Sequence, residues 1–214
     1  MRIDLSGANL AGCDLRQANL EGANLLDVNL SHANLSGALI AQANLSEANL
    51  CQAILTGAVL RHANLCEADL SQATMHRTDL SHSNLLKADL SDADLTEANL
   101  FEANLHLVVA NNAIFRKAHL RKTKLRGGKF QNANLEGANL RQADLAQSSL
   151  FKANLQQAIL TDTSLIQANF QHANLQQARD LTVTQLAKAQ SLRGAQMDST
   201  LQETMSTKHL SLIQ

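Results

Sequence analysis

The chain has no tryptophan, no tyrosine, no proline and only five phenylalanines among its 214 residues. Globular cores draw much of their buried area from aromatic rings, so a core here must be built from something else. Its three cysteines, Cys13, Cys51 and Cys66, form no CxxC pair and no even set. That spacing argues against a disulfide framework or a cysteine metal site and fits a reducing compartment. Long apolar runs are missing as well: no stretch approaches the length that spans a bilayer. Residues Met1 to Leu5 enter the dominant pattern without a leader-like apolar region. A cytoplasmic location without a membrane segment is the expectation. Charge is sparse, at 17% of residues with a net of −1, so neither strong attraction to nucleic acid nor strong acidity follows from the bulk balance.

What the chain does have is a period. Counting every fifth residue from Leu5 to Leu175 gives 35 positions, 29 of them Leu. The departures are Ile40, Met75, Ala110, Phe115, Phe130 and Phe170, and all but Ala110 are large and apolar. Two residues earlier, 25 of the 35 positions are Ala, and most exceptions are small. Asn or Asp usually precedes the Leu, and two mostly polar residues or Gly follow it. Five is neither the helical period of 3.6 nor the strand period of two. A chain that corners every five residues and stacks its coils would aim both apolar positions at a common axis. Each coil buries them only against its neighbours.

Segments such as Ala18-Asn19-Leu20-Glu21-Gly22 and Ala133-Asn134-Leu135-Glu136-Gly137 resemble the pentapeptide-repeat family, with its A-(N/D)-L-x-x unit. The resemblance covers residues 3–178. It implies an all-β fold: a right-handed quadrilateral β-helix with one pentapeptide per side and 20 residues per coil. Eight to nine coils at roughly 4.8 Å each would make a rod about 40 Å long. The expected division is a β-helix over residues 1–178 and a C-terminal capping helix and tail over 179–214.

At the C-terminal end, Leu181 to Gln190 reads as a short helix that lids the last coil, with Thr182 and Gln185 forming a capping box. Leu192-Arg193-Gly194-Ala195-Gln196-Met197 reads as one last repeat out of phase. Residues 198–214, rich in Ser, Thr and Gln, read as a loose tail or a weak second helix. Nothing in the sequence caps the first coil, which predicts an end-to-end homodimer or a partner at that end.

Residues twenty apart should stack, so the surface can be mapped. Arg116, Lys117, Arg121, Lys122, Lys124, Arg126 and Lys129 form a basic belt, preceded by an acidic stretch from Glu67 to Glu102. The register sets Lys117 beside Glu97, Lys122 beside Glu102, Arg116 beside Glu136 and Lys124 beside Asp144. Arg121 falls beside Arg141, and Arg126 and Lys129 lack an acid one coil away. The belt is read first as a solvated face, then as a surface for an acidic protein. Direct nucleic-acid binding is disfavoured because no aromatic platform is present. Apolar residues also point outward. The candidate partner surface joins both features: Leu86, Phe101, Leu107, Val109, Arg121, Arg126, Lys129 and Arg141. The irregular repeat His106-Leu107-Val108-Val109-Ala110 lies in this zone. Val108 is large and Ala110 small, while Gly128 and Phe130 swap these volumes one coil later, which predicts compensated packing and a local kink or bulge.

Catalytic chemistry is not expected. Gly127-Gly128-Lys129 lacks the rest of a phosphate loop, and no serine elbow, HExxH or dinucleotide fingerprint occurs. His62 and His82 stack with Glu102 next, but without cysteine they read as surface histidines rather than a zinc site. No cofactor is expected. The resemblance implies a non-catalytic scaffold for an unidentified protein partner, with a regulatory role, similar to cyanobacterial members. The alternative it implies is a DNA mimic that protects gyrase, favoured only by the acidic stretch.

Overall fold

The computed structural model of the protein describes residues 3–214. Parallel bridges tie Asp4 to Asn24, Asn9 to Asn29 and onward, always twenty residues apart, up to Ile159 with Arg179. Each pentapeptide is one side of a four-sided coil, and the coils stack into a β-helix.

The hydrogen bonds explain the repeat. In Asn29-Leu30-Ser31-His32-Ala33 every backbone N–H has a partner. The Asn29 N–H donates to Ala8 of the previous coil at 2.9 Å, and those of Leu30 and His32 donate to Asn49 and Cys51 of the next at 2.7 and 2.9 Å. The Ala33 N–H closes the corner on the Leu30 carbonyl at 3.0 Å. The fifth N–H, on Ser31, donates to Asn29 Oδ1 at 3.1 Å. This is why Asn or Asp precedes the Leu: its side chain satisfies the one N–H the ladder cannot reach. His32 has φ +59°, the positive value that the third position of a type II turn requires. A left-handed residue costs roughly 1–2 kcal/mol, and the cost recurs at almost every corner. It is offset because that residue's own N–H joins the ladder.

The interior consists of Leu and Ala columns, essentially inaccessible to solvent from Ala23 to Leu175. Where Ala is replaced by a polar residue, the hydroxyl finds a Leu carbonyl. Thr78, Thr123 and Thr163 donate to Leu55, Leu100 and Leu140 at 2.8 Å. In the first coil Leu5, Ala8, Leu10 and Leu15 are only half-buried.

The expected kink at residues 106–110 is absent. Val109 bridges Asp89 and Lys129 like any other strand residue, and the N–H groups of Leu107 and Ala110 reach Arg126 and Lys129 at 3.0 and 2.7 Å. The irregularity is absorbed by side chains alone. Phe130 is buried and meets Phe115 edge-on with ring centroids 6.0 Å apart. Its size is accommodated by the small Ala110 stacked one coil before it and by Gly128 in its own repeat.

After Arg179 the pattern changes. Helix α1, Val183–Leu186, starts with the expected capping box between Thr182 and Gln185. Gln185 Nε2 also donates to the carbonyls of Leu160 and Thr163 at 2.8 and 3.1 Å, tying α1 to the preceding coil. Leu181, Leu186 and Ala189 turn inward together. The chain then resumes cornering two residues out of phase, with Asn169 bridged to Ser191 and Asn174 to Gln196. The tail is not loose. Helices α2, Ser199–Lys208, and α3, Leu210–Ile213, fold back over this end. Met205 is fully buried, and the Leu192 N–H donates to the Leu212 carbonyl at 2.6 Å. Among the described residues no helix is long and apolar enough to cross a membrane.

Candidate functional site

The coil interior is filled, and among the described residues recesses open between outward side chains and beside α1. One is a shallow groove of about 550 Å³ along one corner, lined by Arg61, His62, Asp79, Ser81, His82, Asn99, Phe101, His119, Arg121 and Asn139. These residues come from five successive coils and three neighbouring columns. Two columns are the first and second corner positions after Leu; the third is the middle of the neighbouring face. The ladder fixes all three, so the site is as rigid as the rod.

Phe101 is its centre. The edge of the His82 ring meets Phe101 at 5.4 Å and 89°, and His82 stacks flat on His62 with centroids 4.8 Å apart. That spacing equals the coil-to-coil rise of a β-ladder. Arg121 Cζ lies 5.7 Å from the Phe101 centroid and Lys122 Nζ lies 5.8 Å from it, within the range of cation–π attraction. Lys122 also pairs with Glu102 at 3.0 Å, and His82 approaches the same carboxylate at 3.4 Å. On the floor, Asp79 binds Arg61 and accepts hydrogen bonds from Ser81. Burial pushes the Asp79 carboxyl up, but Ser81 and Arg61 together pull it below the ordinary carboxylate range. Among the described residues no group of His, Cys, Asp and Glu is placed to hold a metal.

The structure divides the expected partner surface. Phe101 and Arg121 share the groove, and Arg141 continues their column one coil on. Leu86, Leu107 and Arg126 occupy the next corner, beyond the face that carries Asn84, Asn104 and Lys124. Val109 and Lys129 lie on the face after that corner. Leu107 is 52% exposed and lies over Gly127, where an added Cβ would meet its Cδ2 at 2.8 Å. Arg126 donates to Gln147 at 3.2 Å. Of the four charge pairs expected in the belt, only Lys122–Glu102 closes. Among the described residues Arg116, Lys117 and Lys124 make no ion pair, although Lys124 and Asp144 share a bridge. Part of the acidic stretch is paired: Glu67 binds Lys87 at 2.8 Å, Glu97 binds Arg77 at 2.7 Å and Asp94 meets the His76 imidazole at 2.7 Å, while among the described residues Asp69, Asp89 and Asp92 meet no cation. The Arg77 hydrogen bond and charge hold the Glu97 carboxyl below its usual value.

Sequence reasoning missed Arg61, Asp79 and His119 as members of one site. The signal was available, since 61, 101, 121 and 141 are congruent at twenty, as are 79, 99, 119 and 139.

The pentapeptide-repeats family model matches in 8 copies that together span residues 2–40 and 43–179. No curated protein matches. Among solved structures, the chain is 32% identical to HetL, a pentapeptide repeat protein involved in heterocyst differentiation regulation from the cyanobacterium Nostoc sp. strain PCC 7120. That match covers 92% of this chain and 83% of HetL, with a TM-score of 0.51. A trypsin-treated form of QnrB1, a plasmid-mediated fluoroquinolone resistance protein, is 18% identical over 99% of this chain and 97% of its own, with a TM-score of 0.49. Rfr23, a pentapeptide repeat protein from the cyanobacterium Cyanothece 51142, is 20% identical over 92% and 88%, with a TM-score of 0.18. The repeat, the twenty-residue register and the matched span together establish that this chain belongs to the pentapeptide-repeat family.

Proposed function

We propose that the protein is a non-catalytic scaffold in the cytoplasm that docks a partner protein and serves regulation. The observation that carries this reading is the corner groove: an aromatic side chain flanked by cations, set on a rigid rod. Its interior is packed with Leu and Ala, whereas small-molecule sites are usually deep and largely enclose their ligand. The 32% identity to HetL, which is involved in heterocyst differentiation regulation, supports a regulatory role. A duplex-DNA mimic guarding gyrase would need a run of free acids. Here Glu67, Asp79, Glu97 and Glu102 each meet a cation and Asp94 an imidazole, which leaves only the short set Asp69, Asp89 and Asp92 of the acidic stretch without one among the described residues, so the surface favours the scaffold.

The test is affinity capture from the native host with the wild-type chain and with Arg121→Glu/Arg126→Glu, beside a gyrase supercoiling assay. The scaffold reading expects a specific protein recovered by the wild type, and supercoiling unaffected by the chain. Relief of quinolone inhibition of gyrase, or the absence of any specific protein, contradicts it.

A further inference from the structure

We infer that the corner groove receives an acidic peptide segment of the partner protein, with an apolar side chain against Phe101 and a carboxylate at Arg121. This deepens the scaffold reading and rests on it. The groove carries both signs, and its acids are already engaged: Asp79 by Arg61 and Ser81, Glu102 by Lys122. The donors left over lie together. Among the described residues neither Arg121 nor His119 pairs with a carboxylate. His119 is bridged to Asn139 in the ladder, and Asn139 uses its side-chain oxygen to accept from the Arg141 N–H at 3.2 Å. Its amide nitrogen therefore remains a donor beside the imidazole. A guanidinium, an imidazole and an amide N–H that line one groove with an aromatic ring suit a carboxylate, with the guanidinium offering the bidentate geometry that carboxylates favour.

A nucleic acid fits less well. Single strands are held by several stacking platforms and an uninterrupted cationic track. Here Phe101 is the one phenylalanine, and the rings beside it are taken up with each other, His82 edge-on to Phe101 and flat against His62; Asp79 on the face and Glu102 on the corner interrupt the cations. A peptide needs only one apolar anchor and a few oriented polar contacts, the usual economy of an interface hot spot.

The experiment is fluorescence anisotropy with the full chain. The probe is a short labelled peptide of aspartate and glutamate around a central leucine. Controls are the same peptide with lysine replacing the acids and a short single-stranded oligonucleotide. The expected result is binding of the acidic peptide at least about tenfold tighter than either control. Arg121→Glu should weaken it about tenfold or more and Phe101→Ala several-fold, while Arg16→Glu, on another corner, leaves it unchanged. Circular dichroism of each variant establishes that the fold is retained. Equal binding of the lysine peptide, tighter binding of the oligonucleotide, or wild-type affinity in Arg121→Glu overturns the proposal. If the host partner is captured equally by the wild type and Arg121→Glu, the scaffold survives and this groove assignment fails. If no partner is captured, the scaffold reading itself fails.

Discussion

The ring of Phe130 occupies the space that a side chain at position 128 would need: a Cβ on Gly128 would lie 2.5 Å from Phe130 Cε2 and 3.1 Å from Cζ. The two residues belong to one repeat, and Phe130 is buried, so neither can move freely. Gly128→Ala should destabilise the rod by about 1–3 kcal/mol through overpacking. Phe130→Leu in the same chain should recover part of that loss, because the smaller side chain vacates the contested space. Denaturant unfolding of both single variants and the double variant measures the coupling. Strict additivity would show that the contact does not matter.

The asparagine ladder on the face beside the groove should contribute measurably. Asn84 Nδ2 donates to Asn64 Oδ1 at 2.9 Å, and Asn84 Oδ1 accepts from Asn104 Nδ2 at 2.8 Å. Asn84→Ala removes both bonds and the 3.4 Å bond from the Leu86 N–H, and leaves Asn104 Nδ2 without its acceptor, for an expected loss of about 1–3 kcal/mol. Asn9→Ala in the first coil, whose side chain makes a single 3.2 Å bond to the Ala11 N–H at an exposed position, should cost less. Thermal unfolding of the two variants decides the order.

Acid should loosen the rod at Asp79. Ser81 and Arg61 hold its carboxyl below the ordinary range, against the upward push of burial. A depressed folded-state pKa adds stability above the unfolded value, and that stability is lost as pH falls through the folded value. Unfolding free energy should therefore decline below about pH 4, and Asp79→Asn should show a shallower decline. A variant as acid-sensitive as the wild type would remove Asp79 from the account.

The C-terminal helices should act as a plug. Met205 is the fully buried residue of α2, and truncating a buried Met costs about 2–5 kcal/mol. Met205→Ala should lower stability by that amount. Met205→Asp, which places a charge against the end of the core, should lift α2 and expose the last coil. Larger species in light scattering would report that exposure, since uncovered strand edges associate. An unchanged monodisperse profile for Met205→Asp would mean that α2 does not seal this end.

Much of this architecture is legible in the sequence because two of every five positions carry it. Leu20, Leu25 and Leu30 announce the corners, Asn29 serves the N–H of Ser31, and Thr182 with Gln185 announces α1. The exchange of volume between Ala110 and Phe130 is also readable, since the register places them one coil apart. The straightness of residues 106–110 is not, because side-chain size alone does not reveal that Gly128 makes room and leaves the ladder intact. The folded tail is hidden by composition: Ser, Thr and Gln dominate it, and only Leu201, Met205, Leu212 and Ile213 dock it. The groove is hidden by distance along the chain, with Arg61 and Arg121 sixty positions apart and His119 on the face column rather than the corner. The candidate surface drawn from the sequence joined Phe101 to Leu86 and Leu107, which the four-sided coil places on different corners.

The account depends on coils of twenty residues stacked at the spacing of a β-ladder. His32 and Lys152 lie on one corner column, six coils apart, and both are exposed. With Cys13, Cys51 and Cys66 replaced by serine and spin labels placed at 32 and 152, pulsed electron paramagnetic resonance should give a narrow distribution near 29 Å, about six rises of 4.8 Å. A broad distribution, or a centre displaced by more than the label's own reach, would contradict the twenty-residue coil and the groove built on it.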